Sequence, residues 1–170
     1  ALQIFGGTSG ATPYGAGGAA LLKNWLSSNG VTEPGHTYAR MILSGKTVYP
    51  FDNTEGGGDM VLPTNSWGWW GKVNVYQGSV IDIPITVGSG KTKLEAALWW
   101  PEGVTEAHDD VDLSIIDPSG TQRAYSVSSP SVFENAKYTG NLAVGTWKIR
   151  IRGYSILSGP QPTYHAINLY

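Results

Sequence analysis

The sequence predicts an α/β fragment built on two helices, followed by an all-β antiparallel sandwich of the jelly-roll type. Three observations carry this expectation. Up to Gly45 the apolar residues recur at helical spacing and are punctuated by glycine stops. From Ser79 onward the hydrophobic period falls to two, with turn residues between the runs. The composition agrees: of 170 residues, 23 are Gly, 7 Trp and 9 Tyr, and only 14% are charged. That is the profile of a turn-rich, aromatic-packed β protein.

Residues 2–5 read as a short apolar strand. Residues 10–28 follow as a helix of small residues, ending at Asn29 and Gly30. Gly15, Gly17 and Gly18 each cost about 0.5–1 kcal/mol relative to alanine inside a helix. The helix is therefore expected to be a buried post with neighbours packed closely on it. TEPGHTYARMILSG reads as a second helix, with Thr32 as cap, Pro34 in the first turn and Tyr38, Met41 and Ile42 on one face. Residues 46–72 are irregular and glycine-punctuated, and NSWGWWGKVNVY adds tryptophans beside a short strand.

In IDIPITV, Ile81, Ile83, Ile85 and Val87 point one way. Pro84 has no amide to donate, which assigns this strand to a sheet edge. KLEAALWW, VDLSIID, the turn DPSG, AYSV, GTWKIRIRGY and TYHAINLY continue the sandwich. Trp147, Ile149 and Ile151 alternate with Lys148, Arg150 and Arg152. Trp99 and Trp100 straddle the pleat, so one faces the core and the other faces outward, onto a neighbouring domain or a ligand. The change of period divides the chain near Gly78, into residues 1–78 and 79–170.

A net charge of −2 argues against nucleic acid or an anionic membrane surface as the main partner. With no cysteine, neither a disulfide framework nor a thiolate metal site is possible. No apolar run reaches the length of a membrane span.

The first segment carries the chemistry. A helix N-terminus bears unpaired amide donors and a partial positive charge. Ser9 sits there, with a hydroxyl to present and a backbone N–H to hold a developing oxyanion. Pro13 offers no N–H to the Ser9 carbonyl four residues back, which leaves the first turn imperfectly closed. The plain alternative is that Ser9 merely caps the helix.

GTSGATP resembles the nucleophile motif of the subtilisin-like serine proteases. Gly7, Thr8, Ser9, Ala11 and Pro13 fit it, and Gly10 takes the variable place where methionine is commonest. AGGAALL, TEPGHTYARMIL and GWWGKVNVYQG are similar to the family's core helix, its next surface helix and the phrase closing its catalytic domain. The resemblance thus covers residues 1–78 and implies the C-terminal portion of a serine endopeptidase domain. GTSGA also approaches the G-x-S-x-G elbow of α/β-hydrolases. That fold needs a long parallel sheet wound with helices, whereas this chain turns to β.

A serine hydroxyl needs a base, and the base needs orienting. In the family an Asp, a His and an oxyanion Asn precede the serine, while eight residues precede Ser9 here. Of the 3 histidines, His36 reads as a solvated surface residue, His108 lies in the acidic EAHDD loop and His165 in the last strand. The resemblance therefore implies an upstream subtilase fragment carrying the catalytic Asp, His and Asn as partner. It also implies a protein or peptide substrate and a secreted, extracellular location. Alone, the chain is expected to be inert.

Residues 79–170 resemble the jelly-roll domain that follows the catalytic domain in some secreted alkaline subtilases, and more loosely the P-domain of kexin-like proteases. LEAALWW, DDVDLSIIDPSG, GTWKIRIRGYSI and GPQPTYHAINL carry the likeness. Such a domain stabilises the enzyme or handles substrate. Asp109, Asp110 and Asp112, joined by Glu106, form a carboxylate cluster whose hard oxygens suit calcium, and relatives carry calcium in this domain. The chemistry itself requires no cofactor. The competing reading is a non-catalytic module whose sandwich binds carbohydrate or protein.

Overall fold

A computed structural model of the chain describes residues 7–52, 54–62, 68–103, 107–157 and 159–170. The strand expected at residues 2–5 lies outside them. Two helices come first, α1 (Thr8–Ser28) and α2 (Pro34–Ser44). Eight strands follow: β1 (Trp69–Val75), β2 (Val80–Val87), β3 (Lys93–Trp99), β4 (Asp110–Ile116), β5 (Gln122–Ser126), β6 (Phe133–Thr139), β7 (Gly145–Ser155) and β8 (Gln161–Leu169). No helix of the described residues is long and apolar enough to cross a membrane.

The strands form two antiparallel four-stranded sheets, ordered β1-β8-β3-β6 and β2-β7-β4-β5. First pairs with last, second with seventh, third with sixth and fourth with fifth, the pattern of one long hairpin rolled into a sandwich, as in jelly rolls. Pro84 lies opposite Lys148 on β2, an edge strand, as its missing amide requires. The core between the sheets holds Val87, Leu94, Leu113 and Ile149, with Trp100 and Trp147 fully enclosed. Each buried indole finds an acceptor: Trp100 Nε1 donates to Glu102 Oε1 at 3.0 Å, and Trp147 Nε1 to the Ala143 carbonyl at 2.8 Å. On the solvent side of the second sheet, Arg150 clasps Asp82 through two bonds of 2.7 and 2.9 Å, which hold the Asp82 carboxyl below its usual range.

β6 was not expected from the sequence. Glu134, Asn135 and Ala136 are all buried in succession, so FENAKYT shows no alternation. α2 and the segment after it cover the outer face of this strand. Asn135 donates to the carbonyls of Ile42 and Thr47 at 3.1 and 3.2 Å, and Lys137 to that of Gly45.

Glu134 itself points between the sheet edges, where Ser126 Oγ and the Ser128 amide donate to its carboxylate. Burial pushes its pKa up to about 8 from 4.5, against those hydrogen bonds. The folded state therefore holds a proton that the unfolded chain has released. This contribution to stability is complete below pH 4.5 and is lost as pH rises through about 8. Glu134→Gln keeps the hydrogen-bonding outline without a titrating group. Its melting temperature is expected to fall less than that of the parent chain as pH rises from 6.5 to 8. Parallel decline in both proteins would contradict the assignment.

α2 lies on the outer face of the first sheet, with Ala39 and Leu43 against Ala97, Tyr164 and Ala166. The sequence expected Tyr38, Met41 and Ile42 to share one face and His36 to be solvated. Instead the buried face is Gly35, His36, Ala39, Arg40, Leu43 and Ser44. The large partners come from the sheet, so the helix supplies small and polar residues. A Cβ at Gly35 would strike the Tyr164 ring, and His36 meets that ring edge-on at 5.0 Å. The cap position falls to Glu33, not Thr32, with Pro34 in the first turn as expected. Trp99, the outward member of its pair, stacks on Tyr38 at 4.5 Å.

α1 packs on α2 and reaches β1 through Trp25, which meets Trp70 edge-on at 4.9 Å. Its end matches the sequence: Gly30 takes a positive φ of 78°, and the Asn29 and Val31 amides both return to the Leu26 carbonyl. The composition break at Gly78 falls in the β1–β2 turn. β1, on its N-terminal side, is a full member of the first sheet, paired with β8 along its whole length.

Candidate functional site

Ser9 occupies the second position of α1 and is exposed. The cap is Gly7, at φ 77°, with no side-chain capping bond. Ser9 therefore does not cap the helix. The Gly10 and Ala11 amides share the Gly7 carbonyl at 3.0 and 3.1 Å. The Ser9 amide belongs to the first-turn donors that helix geometry leaves without an acceptor. No acidic residue stands in the first turn to neutralise the positive end. Pro13 lies inside the helix, which withholds a bond from the Ser9 carbonyl, and the helix continues through it to Ser28.

The buried post expected for α1 is not what this chain builds. Gly18, Leu22 and Leu26 are its buried residues, and a Cβ at Gly18 would strike Met60. At Gly15 and Gly17 an added Cβ would meet only open space. A groove of about 1220 Å³ runs beside the helix, lined by Gly10, Tyr14, Gly15, Met41, Met60 and Phe133 among others. Gly15 and Gly17 thus lower helix stability without a packing return among the described residues.

The histidines are engaged elsewhere. His36 is buried beneath α2 against Tyr164. His165 is buried on β8, with its ring over Gly71 of β1. His108 faces two acceptors, Glu102 Oε2 at 2.7 Å and the Ser129 carbonyl. Burial lowers its pKa, but those two bonds outweigh it and the net shift is upward. The same Glu102 accepts the Asp109 amide at 2.7 Å, so pairing His108 with Glu102 fastens the loop. The sequence reading did not foresee this pair, although both residues lie in one loop.

Asp109 is buried; its Oδ1 accepts the Leu157 amide at 2.6 Å. Asp109 Oδ2 and Asp110 Oδ1 are enclosed and have no hydrogen-bond partner among the described residues. Asp112 is only partly buried, and its Oδ2 stands 3.8 Å from the Arg152 guanidinium. Burial raises the Asp112 pKa, and Asp110 adds to the effect. Glu106 lies outside the described residues. Among the described residues, no three His, Cys, Asp or Glu side chains form a group able to hold a metal ion.

No family model matches the chain.

Proposed function

We propose that this chain supplies the nucleophile of a serine endopeptidase whose base and orienting carboxylate lie on another stretch of polypeptide. The observation that best supports this is the setting of Ser9, exposed in the first turn of a long helix behind a glycine cap. A serine held this way has its hydroxyl free for attack and its own amide beside it.

In the proposed reaction the partner's imidazole takes the Ser9 hydroxyl proton as Oγ bonds to the scissile carbonyl carbon. The carbonyl oxygen becomes an oxyanion, stabilised by the Ser9 amide and the positive helix end. Collapse breaks the C–N bond, and the imidazolium returns the proton to the departing amine. Water, deprotonated by the same imidazole, then releases the acyl group and restores Ser9. The glycine face of α1, open among the described residues, supports a neighbour packed there in the assembled protein. In this reading the sandwich anchors α2 and, through it, α1, and performs no chemistry. Protein or peptide is the substrate and the enzyme acts outside the cell.

Reconstitution tests the proposal. The chain alone is expected to leave a chromogenic peptide intact. The chain combined with an upstream subtilase fragment carrying Asp, His and Asn is expected to cleave it. If the reconstituted protein stays inactive while the chain binds a polysaccharide, the non-catalytic module is the better account.

The reading extends to a calcium ion on Asp109 and Asp110. Each of these two enclosed oxygens lacks a hydrogen-bond partner among the described residues, which suits a hard cation, whereas Asp112 leans toward Arg152 and contributes only charge. Millimolar calcium is expected to raise the melting temperature by about 5 °C. The double variant Asp109→Asn, Asp110→Asn should abolish that rise. No shift in the parent chain removes calcium from the account.

A further inference from the structure

Two histidines flank the same strand where the segment up to Val75 meets the rest of the sandwich. His36 reaches β8 from α2, on the outer face of the first sheet. His165 sits on β8 itself, paired in register with Gly71 of β1 and with Leu98 of β3. An added Cβ on Gly71 would come within 2.6 Å of the His165 ring, so the imidazole rests directly on the β1 backbone. His36 and His165 are only 8% and 7% exposed, and the Nδ1 of each has no hydrogen-bond partner among the described residues.

Among the described residues, the charged and titratable groups around them offer no ready counter-ion. Glu33, at the start of α2, is the near carboxylate, but it accepts from Lys72 of β1 at 2.7 Å and from the Tyr164 hydroxyl of β8 at 2.6 Å. Arg40 of α2 adds a buried cation, hydrogen-bonded to Asn168 Oδ1 at 2.6 Å. Glu95 of β3 is occupied by Asn168, the Tyr170 hydroxyl and Lys93. α1 contributes the Trp25 ring. An imidazolium at either position would be a buried charge beside cations, which folded proteins avoid by releasing the proton or the contact.

We propose that protonation of His36 and His165 releases α1, α2 and β1 from the sandwich as one acid-sensitive unit. Among the described residues β1 is an edge strand paired only with β8, and α2 lies on the outer face of the same sheet. Removing both leaves β8 paired with β3 and the second sheet intact. The sign of the effect follows from the shifts. Burial holds His36 below its ordinary value, with Glu33 opposing. Burial holds His165 at about 4, reinforced by His36 and Arg40. The docked state therefore excludes protons that the released state binds. Docking is complete above pH 6.5 and is lost as pH falls toward about 4.

Amide exchange of the full chain, corrected for intrinsic rates and followed from pH 7.5 downward, tests this. The amides of α1, α2 and β1 are expected to lose protection together in that window, while those of β3 and β7 stay protected. The double variant His36→Gln, His165→Gln should move the midpoint down by about one pH unit or more. Simultaneous loss in all elements, or an unmoved midpoint, overturns the proposal. If the variant does not fold, the imidazole Cε1 protons of the parent chain decide. Absence of titration until release supports the proposal, and ordinary titration near pH 6.5 with native signals retained overturns it. The readout is independent of catalysis, so it stands or falls apart from the protease reading.

Discussion

Under the proposed role, replacing Ser9 by alanine in the reconstituted protein is expected to lower kcat by about six orders of magnitude. The size follows from the role. Without the hydroxyl there is no acyl-enzyme, and only substrate binding and oxyanion stabilisation remain. Stability should hardly change, because Ser9 is exposed and the helix cap is Gly7. A capping serine would behave in the opposite way, costing about 1 kcal/mol of stability and no activity. Steady-state kinetics and a melting curve on the same variant therefore separate the two roles. A variant that loses stability but still cleaves would show that another group attacks the substrate.

Replacing Arg40 by alanine is expected to be among the most damaging changes to the fold, at about 3–4 kcal/mol. Arg40 is 1% exposed. Its Nη1 donates to Asn168 Oδ1 at 2.6 Å and its Nη2 to the Trp69 carbonyl at 3.4 Å. The guanidinium lies 5.6 Å from the centroid of Trp25 and 5.8 Å from that of Trp70. One side chain thus joins α1, α2, β1 and β8. Burial lowers its pKa to about 10, with Tyr170 and Glu95 opposing, so it remains a cation at neutral pH. Alanine would leave the Asn168 oxygen without its donor and open a void between two indoles. Lysine should recover little, since an ammonium on a flexible stem cannot reproduce the planar fork. Thermal melts are expected to fall by about 10 °C for Arg40→Ala. A loss below about 1 kcal/mol would mean that the network is decorative.

Much of the architecture was legible because local patterns decide it. Asn29-Gly30 ends α1, Pro84 marks an edge strand, and the alternation from Trp147 to Arg152 matches the faces of β7. The split between Trp99 and Trp100 also follows from the pleat, with the outer indole covered by Tyr38. What escaped depends on partners distant in the chain. β6 lacks a period because elements nearly ninety positions away bury its outer face (Asn135 to Thr47, |i−j| of 88). His36 looked solvated because its cover is Tyr164, and nothing local to Arg40 announces its burial because its acceptor is Asn168. The proposed nucleophile, Ser9, is marked in the sequence as a motif at a helix start. The rest of the site was not, since none of the three histidines is directed to Ser9 by any contact described.

The acyl-transfer role of Ser9 is tested most directly by a fluorophosphonate probe followed by peptide mapping. The probe modifies only a serine whose proton a neighbouring base removes. The account predicts a single adduct on Ser9 when the fragment bearing the imidazole is present, and none on the chain by itself. An adduct at any other residue, or an unmodified Ser9 in the assembled protein, would contradict it.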